Sequence, residues 1–425
     1  MQPLPERLIV SMIPGDPIPE IVQKHGEPLT ASQRYWLVSP PPGVALDAML
    51  KVVLEQPAVY RVEYDLWLRR TPHQLFDDPL YGSQWYHRSI DSERLLSRTT
   101  GDPDVRVAVI DSGIETSHPE LTDAVVAPRD VFAGDDDPNP EPGFYCRDDP
   151  NEICDEHGTA VAGVIVARAN NGEGIVGFCS ECSLIPIRLL GDVFSPVSAD
   201  IAAFEHAIEH DAWVINNSWG YAESMPVSDT LQEVIERAAT ETRGGLGAVV
   251  IFAAGNESRV IQDNELTALD VLLSVTATDQ FGNPTPYTNS GASVDLAAPA
   301  ATVTTSVNGG YTSLFGGTSA AAPVVAGVAA LILSEKPTLT SAQVRELLVT
   351  TARKDPRVNY DESGHNNTYG YGLLDIEALL ERLDAPAERE GGSGCQSSAG
   401  DLWWIVMVMC GVALTRRRSP SALKA

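Results

Sequence analysis

Val105-Arg106-Val107-Ala108-Val109-Ile110-Asp111-Ser112-Gly113-Ile114 is the stretch that decides the fold. Its first six residues are almost all valine, isoleucine and alanine, the pattern of a strand buried on both faces. An aspartate, a serine and a glycine then close it. Residues 212–216 and 248–253 repeat the form, apolar runs that end in small or polar residues. Helical stretches lie around them at 158–168, 198–209, 228–242 and 318–334. Strands alternating with helices predict an α/β domain, a parallel sheet flanked by helices. In such a sheet the functional groups gather at the carboxyl ends of the strands.

Three further segments carry chemistry. His157 stands in Glu156-His157-Gly158-Thr159-Ala160-Val161-Ala162-Gly163, at the start of a helix. Ser319 stands in Gly316-Gly317-Thr318-Ser319-Ala320-Ala321-Ala322-Pro323, opening another. Asn256 follows a strand in Ala253-Ala254-Gly255-Asn256-Glu257-Ser258. Each alone has an ordinary reading. An aspartate such as Asp111 caps or turns, Ser319 can be an N-terminal helix cap, and Asn256 beside glycine suits a turn. Together they form a chemical set. A serine hydroxyl needs a base within hydrogen-bond reach to act as a nucleophile. Imidazole serves because its pKa lies near neutrality. A buried carboxylate orients the imidazole, and an amide with a backbone N–H receives the oxyanion.

These blocks, in the order Asp…His…Ser, resemble the subtilisin-like serine proteases, the subtilases, over roughly residues 80–380. The resemblance implies a subtilisin-like fold and an endopeptidase that acylates Ser319. His157 is then the general base, Asp111 its orienting partner, and Asn256 with the Ser319 N–H the oxyanion hole. Ala160 departs from the pattern, since many members carry a second histidine there. Asn217-Ser218-Trp219-Gly220 resembles the family segment that pairs with an extended peptide. Ser218, Trp219 and Gly220 would form one wall of the main specificity pocket, and Ala253, Ala254 and Gly255 the other. Trp219 in that wall would favour an apolar or aromatic substrate residue; a core tryptophan is the alternative. Residues 169–175 resemble the family calcium loop. Asp78, Asp130 and Asn171 are the side-chain ligands expected for a structural Ca²⁺, whose taste is for carboxylate, amide and carbonyl oxygens. A charged insertion at 135–156 is a candidate for a second ion.

The chain has 425 residues, 43% of them apolar, enough for a packed core, and its net charge is −29. That charge argues against a nucleic-acid binder, because phosphates would be repelled. Residues 1–75 read as a small α/β unit: strands at 7–13, 34–38 and 59–68, helices at 18–25 and 45–55. Leu46, Met49, Leu50 and Val53 share one face of the second helix. Ahead of a subtilase domain at 76–384, this unit resembles the family propeptides, which act as intramolecular chaperone and inhibitor and are cleaved off. Cleavage is expected between about Leu68 and Tyr81.

Cysteines fall in local pairs. Cys146 with Cys154, and Cys179 with Cys182, suit two short-loop disulfides in an oxidising compartment. A zinc site or free thiols are the other readings of the same residues. No signal peptide is visible, the longest early apolar run being closed by Pro14. A Gly/Ser linker at 385–401 precedes an apolar run at 402–415 and Arg416-Arg417-Arg418. With Gly394-Cys395 before it, this tail at 402–425 resembles the C-terminal sorting signals of myxobacterial surface proteins, and implies a secreted or surface-anchored protein met by membrane or sorting machinery. Expected partners are polypeptide substrates, with the chain itself a monomer. A silent peptide-binding module and a ligase that prefers an amine to water are the rival functions.

Overall fold

The strand expected at 105–110 forms at Arg106–Asp111, and the larger unit is arranged around it. The computed structural model describes residues 7–65, 75–141, 155–191, 195–221 and 223–385. The chain divides into two units, Met1–Asp77 and Asp78–Ala425. Cys146 and Cys154, the linker, the arginine-flanked tail, and the end of the strand expected at 59–68 lie outside the described residues.

The smaller unit contains β1 (Leu8–Met12), α1 (Glu20–His25), β2 (Gly26–Pro28), β3 (Tyr35–Val38), α2 (Leu46–Leu54) and β4 (Val59–Tyr64). Its sheet is antiparallel, in the order β2-β3-β1-β4. Alternation decides which face is buried: Leu8, Val10 and Met12 turn inward, with Met49 and Val53 of α2 and Trp36 and Val38 of β3. Each such side chain contributes about 1.5–3 kcal/mol by burial. β2 went unpredicted because three residues ending in proline show no period.

The larger unit runs α3 (Trp85–Ser89), α4 (Glu93–Leu96), β5 (Arg106–Asp111), β6 (Arg129–Asp130), α5 (His157–Val166), β7 (Ser183–Arg188), α6 (Val197–Glu209), β8 (Val214–Asn217), α7 (Asp229–Gly245) and β9 (Val249–Ala253). It continues with β10 (Leu272–Thr278), β11 (Leu296–Pro299), a hairpin of β12 (Thr304–Ser306) and β13 (Gly310–Thr312), then α8 (Thr318–Glu335), α9 (Ser341–Thr350) and α10 (Ile376–Asp384). Seven strands make one parallel sheet in the order β11-β10-β9-β8-β5-β7-β6. Ala108 and Ile110 face one side, in a core shared with Phe204 of α6 and Leu231 and Ile235 of α7. Val107 and Val109 face the other, where α5 and α8 pack together. Ala320 to Leu333 of α8 is buried throughout, as expected of a helix apolar on every side.

Two central strands were invisible in the sequence. β7 carries Pro186, which has no N–H for the ladder and argues against a strand. β10 is buried along its length yet contains Ser274, Thr276 and Thr278, so it does not read as apolar. The order reverses at β5, which has β7 on one side and β8 on the other. Its carboxyl end is therefore the switch point where ligands of such sheets bind, and Asp111 ends there.

Candidate active site

Asp111 is fully buried at the end of β5, and His157 is the first residue of α5. The His157 Nδ1–H donates to Asp111 Oδ1 at 2.7 Å, and the Ser112 N–H donates to the same oxygen at 2.8 Å. Gly158 makes this approach possible, because a Cβ there would stand 2.3 Å from the Gly113 carbonyl oxygen. Burial alone would disfavour a charged imidazole. The Asp111 carboxylate, helped by Asp155 and Glu156, outweighs that and holds the His157 pKa above its ordinary value. Phe315 stands edge-on to the ring, centroids 5.5 Å apart.

Ser319 lies in the first turn of α8, where backbone donors have no helical acceptor. Its hydroxyl donates to the Ser218 carbonyl at 3.0 Å, and the Ser218 hydroxyl donates to the Ser319 carbonyl at 3.0 Å. The two segments are thus clasped together, and among the described residues Ser319 makes no hydrogen bond to His157. Sites without substrate commonly hold such a pair apart. Asn256 Oδ1 accepts from the Thr318 N–H at 2.9 Å and its hydroxyl at 3.1 Å. That fixes the amide beside Ser319 with Nδ2 uncommitted among the described residues. Gly317, at φ +77, is needed here, since a Cβ would crowd the Asn256 amide.

Ser218, Trp219, Gly220, Ala253, Ala254, Gly255, Asn256 and Ser319 line a single open cleft. Trp219 is 9% exposed, edge-on to Phe252 at 5.5 Å, so it belongs to the core as much as to the cleft wall.

Several residues of the site escaped the sequence reading. Asn289, buried, donates to the Ala254 carbonyl and accepts from the Glu257 and Arg259 N–H groups, pinning the loop that carries Asn256. Asp155, also buried, accepts from the Ser112 hydroxyl at 2.8 Å and the His157 N–H at 3.2 Å. Burial, then the neighbouring Asp111, pushes its pKa up. It was hidden at the end of a charged run. Nothing local marked Asn289.

Asp130 requires correction. Its Oδ2 accepts from the Arg188 guanidinium at 2.6 Å, with both side chains about 1% exposed, and its Oδ1 caps the Ala133 N–H. A carboxylate so neutralised has no call for a metal. The residue beside the loop at 169–175 is Glu120, in His118-Pro119-Glu120-Leu121. It is fully buried and accepts from the Ile175 N–H at 3.0 Å, Asn171 Nδ2 at 3.0 Å and the Tyr311 hydroxyl at 3.0 Å. All these donors are neutral. Burial foremost, with Asp78 adding, pushes its pKa up. Asp78 is also buried and accepts from the Asn170 N–H at 2.9 Å. Among the described residues no group of three His, Cys, Asp or Glu side chains is placed to hold a metal ion. Two buried carboxylates, an amide and a carbonyl-bearing loop are nonetheless an oxygen donor set of the kind that fits Ca²⁺.

Cys179 and Cys182 are joined, sulfurs 2.04 Å apart, and both are buried.

The sheet order, the switch-point Asp–His pair and the serine at a helix start together match the subtilisin type of fold and site. The Subtilase family profile matches residues 102–372, and the chain belongs to that family. It is 32% identical to subtilisin E of Bacillus subtilis, covering 78% of this chain and 78% of that protein. It is 29% identical to the calcium-dependent protease of Nostoc sp., over 87% of this chain and 62% of that relative's length. A solved protease of Pseudoalteromonas arctica superposes with a TM-score of 0.60 at 26% identity, covering 73% of this chain and 99% of that one.

Proposed function

We propose that the chain is a working serine endopeptidase that cuts polypeptides through an acyl-enzyme on Ser319. The observation that carries the reading is the 2.7 Å contact between His157 Nδ1 and the buried Asp111 carboxylate, which leaves Nε2 as the basic nitrogen. Ser319 Oγ attacks the scissile carbonyl carbon as His157 Nε2 takes its proton. The oxyanion is received by Asn256 Nδ2 and the Ser319 N–H. The intermediate collapses, His157 protonates the departing amine, and water repeats the sequence on the ester.

Asp78, Glu120 and Asn171, with carbonyls of the loop at 169–175, would hold a structural Ca²⁺ that neutralises two buried carboxylates. The name of the calcium-dependent protease relative supports this. The small unit, with its own core, would be the propeptide, and the arginine-flanked tail would anchor or sort the protein at the cell surface. Intact-mass analysis over time tests the main reading. Wild type refolded with calcium should lose about 70–80 residues, a length set by the expected cleavage window, while Ser319→Ala stays whole. If both stay whole and a fluorophosphonate fails to label wild type, a peptide-binding module is the better reading.

A further inference from the structure

We infer that the cleft beside Ser319 selects substrates with a cationic side chain, lysine or arginine, on the residue whose carbonyl is attacked; this rests on the protease reading above. The cleft is lined by three carboxylates, Glu223, Glu257 and Glu265, and one guanidinium, Arg259. That guanidinium is already committed. Its two terminal nitrogens each lie 2.7 Å from a different oxygen of Glu265. Glu265 is nearly buried, and it also accepts from the Ser224 hydroxyl at 2.6 Å and the Gln262 N–H at 3.1 Å. A bidentate pair of this kind is charge-neutral and geometrically locked.

Glu223 and Glu257 remain. Glu257 Oε2 accepts only from the neutral Asn289 amide, at 2.7 Å, and Glu223 makes no hydrogen bond among the described residues. Counting cleft charges gives three negative and one positive, a balance of −2. This balance sits in a concave site against a protein of net charge −29. A cationic side chain entering the cleft meets an attractive field and two carboxylates with open acceptor capacity. An acidic one meets repulsion. Trp219 also lines the cleft, but its ring packs edge-on against Phe252 and belongs to the core as much as to the wall.

The test compares peptide substrates identical except for arginine or citrulline before the scissile bond, an almost isosteric pair differing in charge. Wild-type protein should show kcat/KM at least about tenfold higher for arginine, the scale of one charge-assisted hydrogen bond. The ratio should fall as salt is raised, because part of the cleft is open to solvent. Glu223→Gln with Glu257→Gln should bring the ratio near one. Since both substrates are read on the same preparation, partial misfolding cancels. Fluorophosphonate labelling of Ser319 is measured alongside. Labelled wild type that cuts both substrates equally, or prefers citrulline, overturns the inference and leaves the protease reading standing. A ratio unmoved by the double substitution overturns it too. Absence of both labelling and cleavage overturns the protease reading, and the inference with it.

Discussion

Asp111 and Arg188 are partners in register across β5 and β7, yet their surroundings differ. Arg188 is paired with opposite charge, although its second terminal nitrogen makes no hydrogen bond among the described residues. It bonds Asp130 at 2.6 Å, lies 3.2 Å from Glu141, donates to the Ser112 carbonyl at 3.3 Å, and covers the Phe132 ring. Asp111 has one carboxylate oxygen engaged, while Oδ2 is buried with no hydrogen-bond partner among the described residues. The second oxygen of Asp155 is in the same position. Both carboxylates lie beside His157, Asp111 through its Nδ1 and Asp155 through its backbone N–H. The charge-paired side of these strand ends is scaffold, and the side whose carboxylates hold His157 is where bonds are to be made. Substitutions on the first side should therefore lower stability, and those on the second should lower activity.

Ser319→Ala is the most severe expected loss. It should reduce kcat by about 10⁶-fold, the size known from subtilisin itself, with the melting temperature almost unmoved. Comparable loss of folding would break the comparison.

Arg188→Met belongs to the other side. It leaves Asp130 buried and uncompensated, which should cost about 3–5 kcal/mol in urea unfolding. Activity per folded molecule should fall far less than in Ser319→Ala.

Asn256→Ala removes the proposed oxyanion donor. The expected fall in kcat is about 10²–10³-fold, again the magnitude known from subtilisin, with KM little changed.

Glu120→Gln sharpens the contrast with Asp130. Chelator should lower the melting temperature of wild type, and Glu120→Gln should shrink that difference, because a ligand that binds only the folded state stabilises it by mass action. Asp130→Asn should leave the calcium response in place.

The smallest effect is on pH. The imidazole must be neutral to act as base, so kcat/KM should rise with pH through the His157 pKa. That pKa is raised, placing the acid limb above the ordinary value of about 6.5. Asp155 helps raise it, so Asp155→Asn should move the limb toward lower pH. A shift upward would contradict the electrostatic role of Asp155.

Much of the chemistry was legible because it is local. Asp111, His157, Ser319 and Asn256 each stand beside glycines and apolar runs that betray strand ends and helix starts. What was not legible depends on partners far along the chain. Asp130 read as a metal ligand because Arg188, 58 residues on, leaves no trace beside it. Glu120 was passed over because its burial beside the loop at 169–175, not its spacing, marks it. The cleft charges were hidden likewise: Arg259 and Glu265 cancel through a contact that only folding creates. In the sheet, Pro186 and the serine and threonines of β10 masked two strands that burial and pairing impose.

The central claim is that Ser319 is an activated nucleophile served by His157. The direct measurement is labelling by a fluorophosphonate followed by peptide mapping, in wild type, His157→Ala and Ser319→Ala. The account predicts one adduct, on Ser319, formed rapidly in wild type, greatly slowed in His157→Ala and absent in Ser319→Ala. An adduct on another residue, or a rate indifferent to His157, would contradict it.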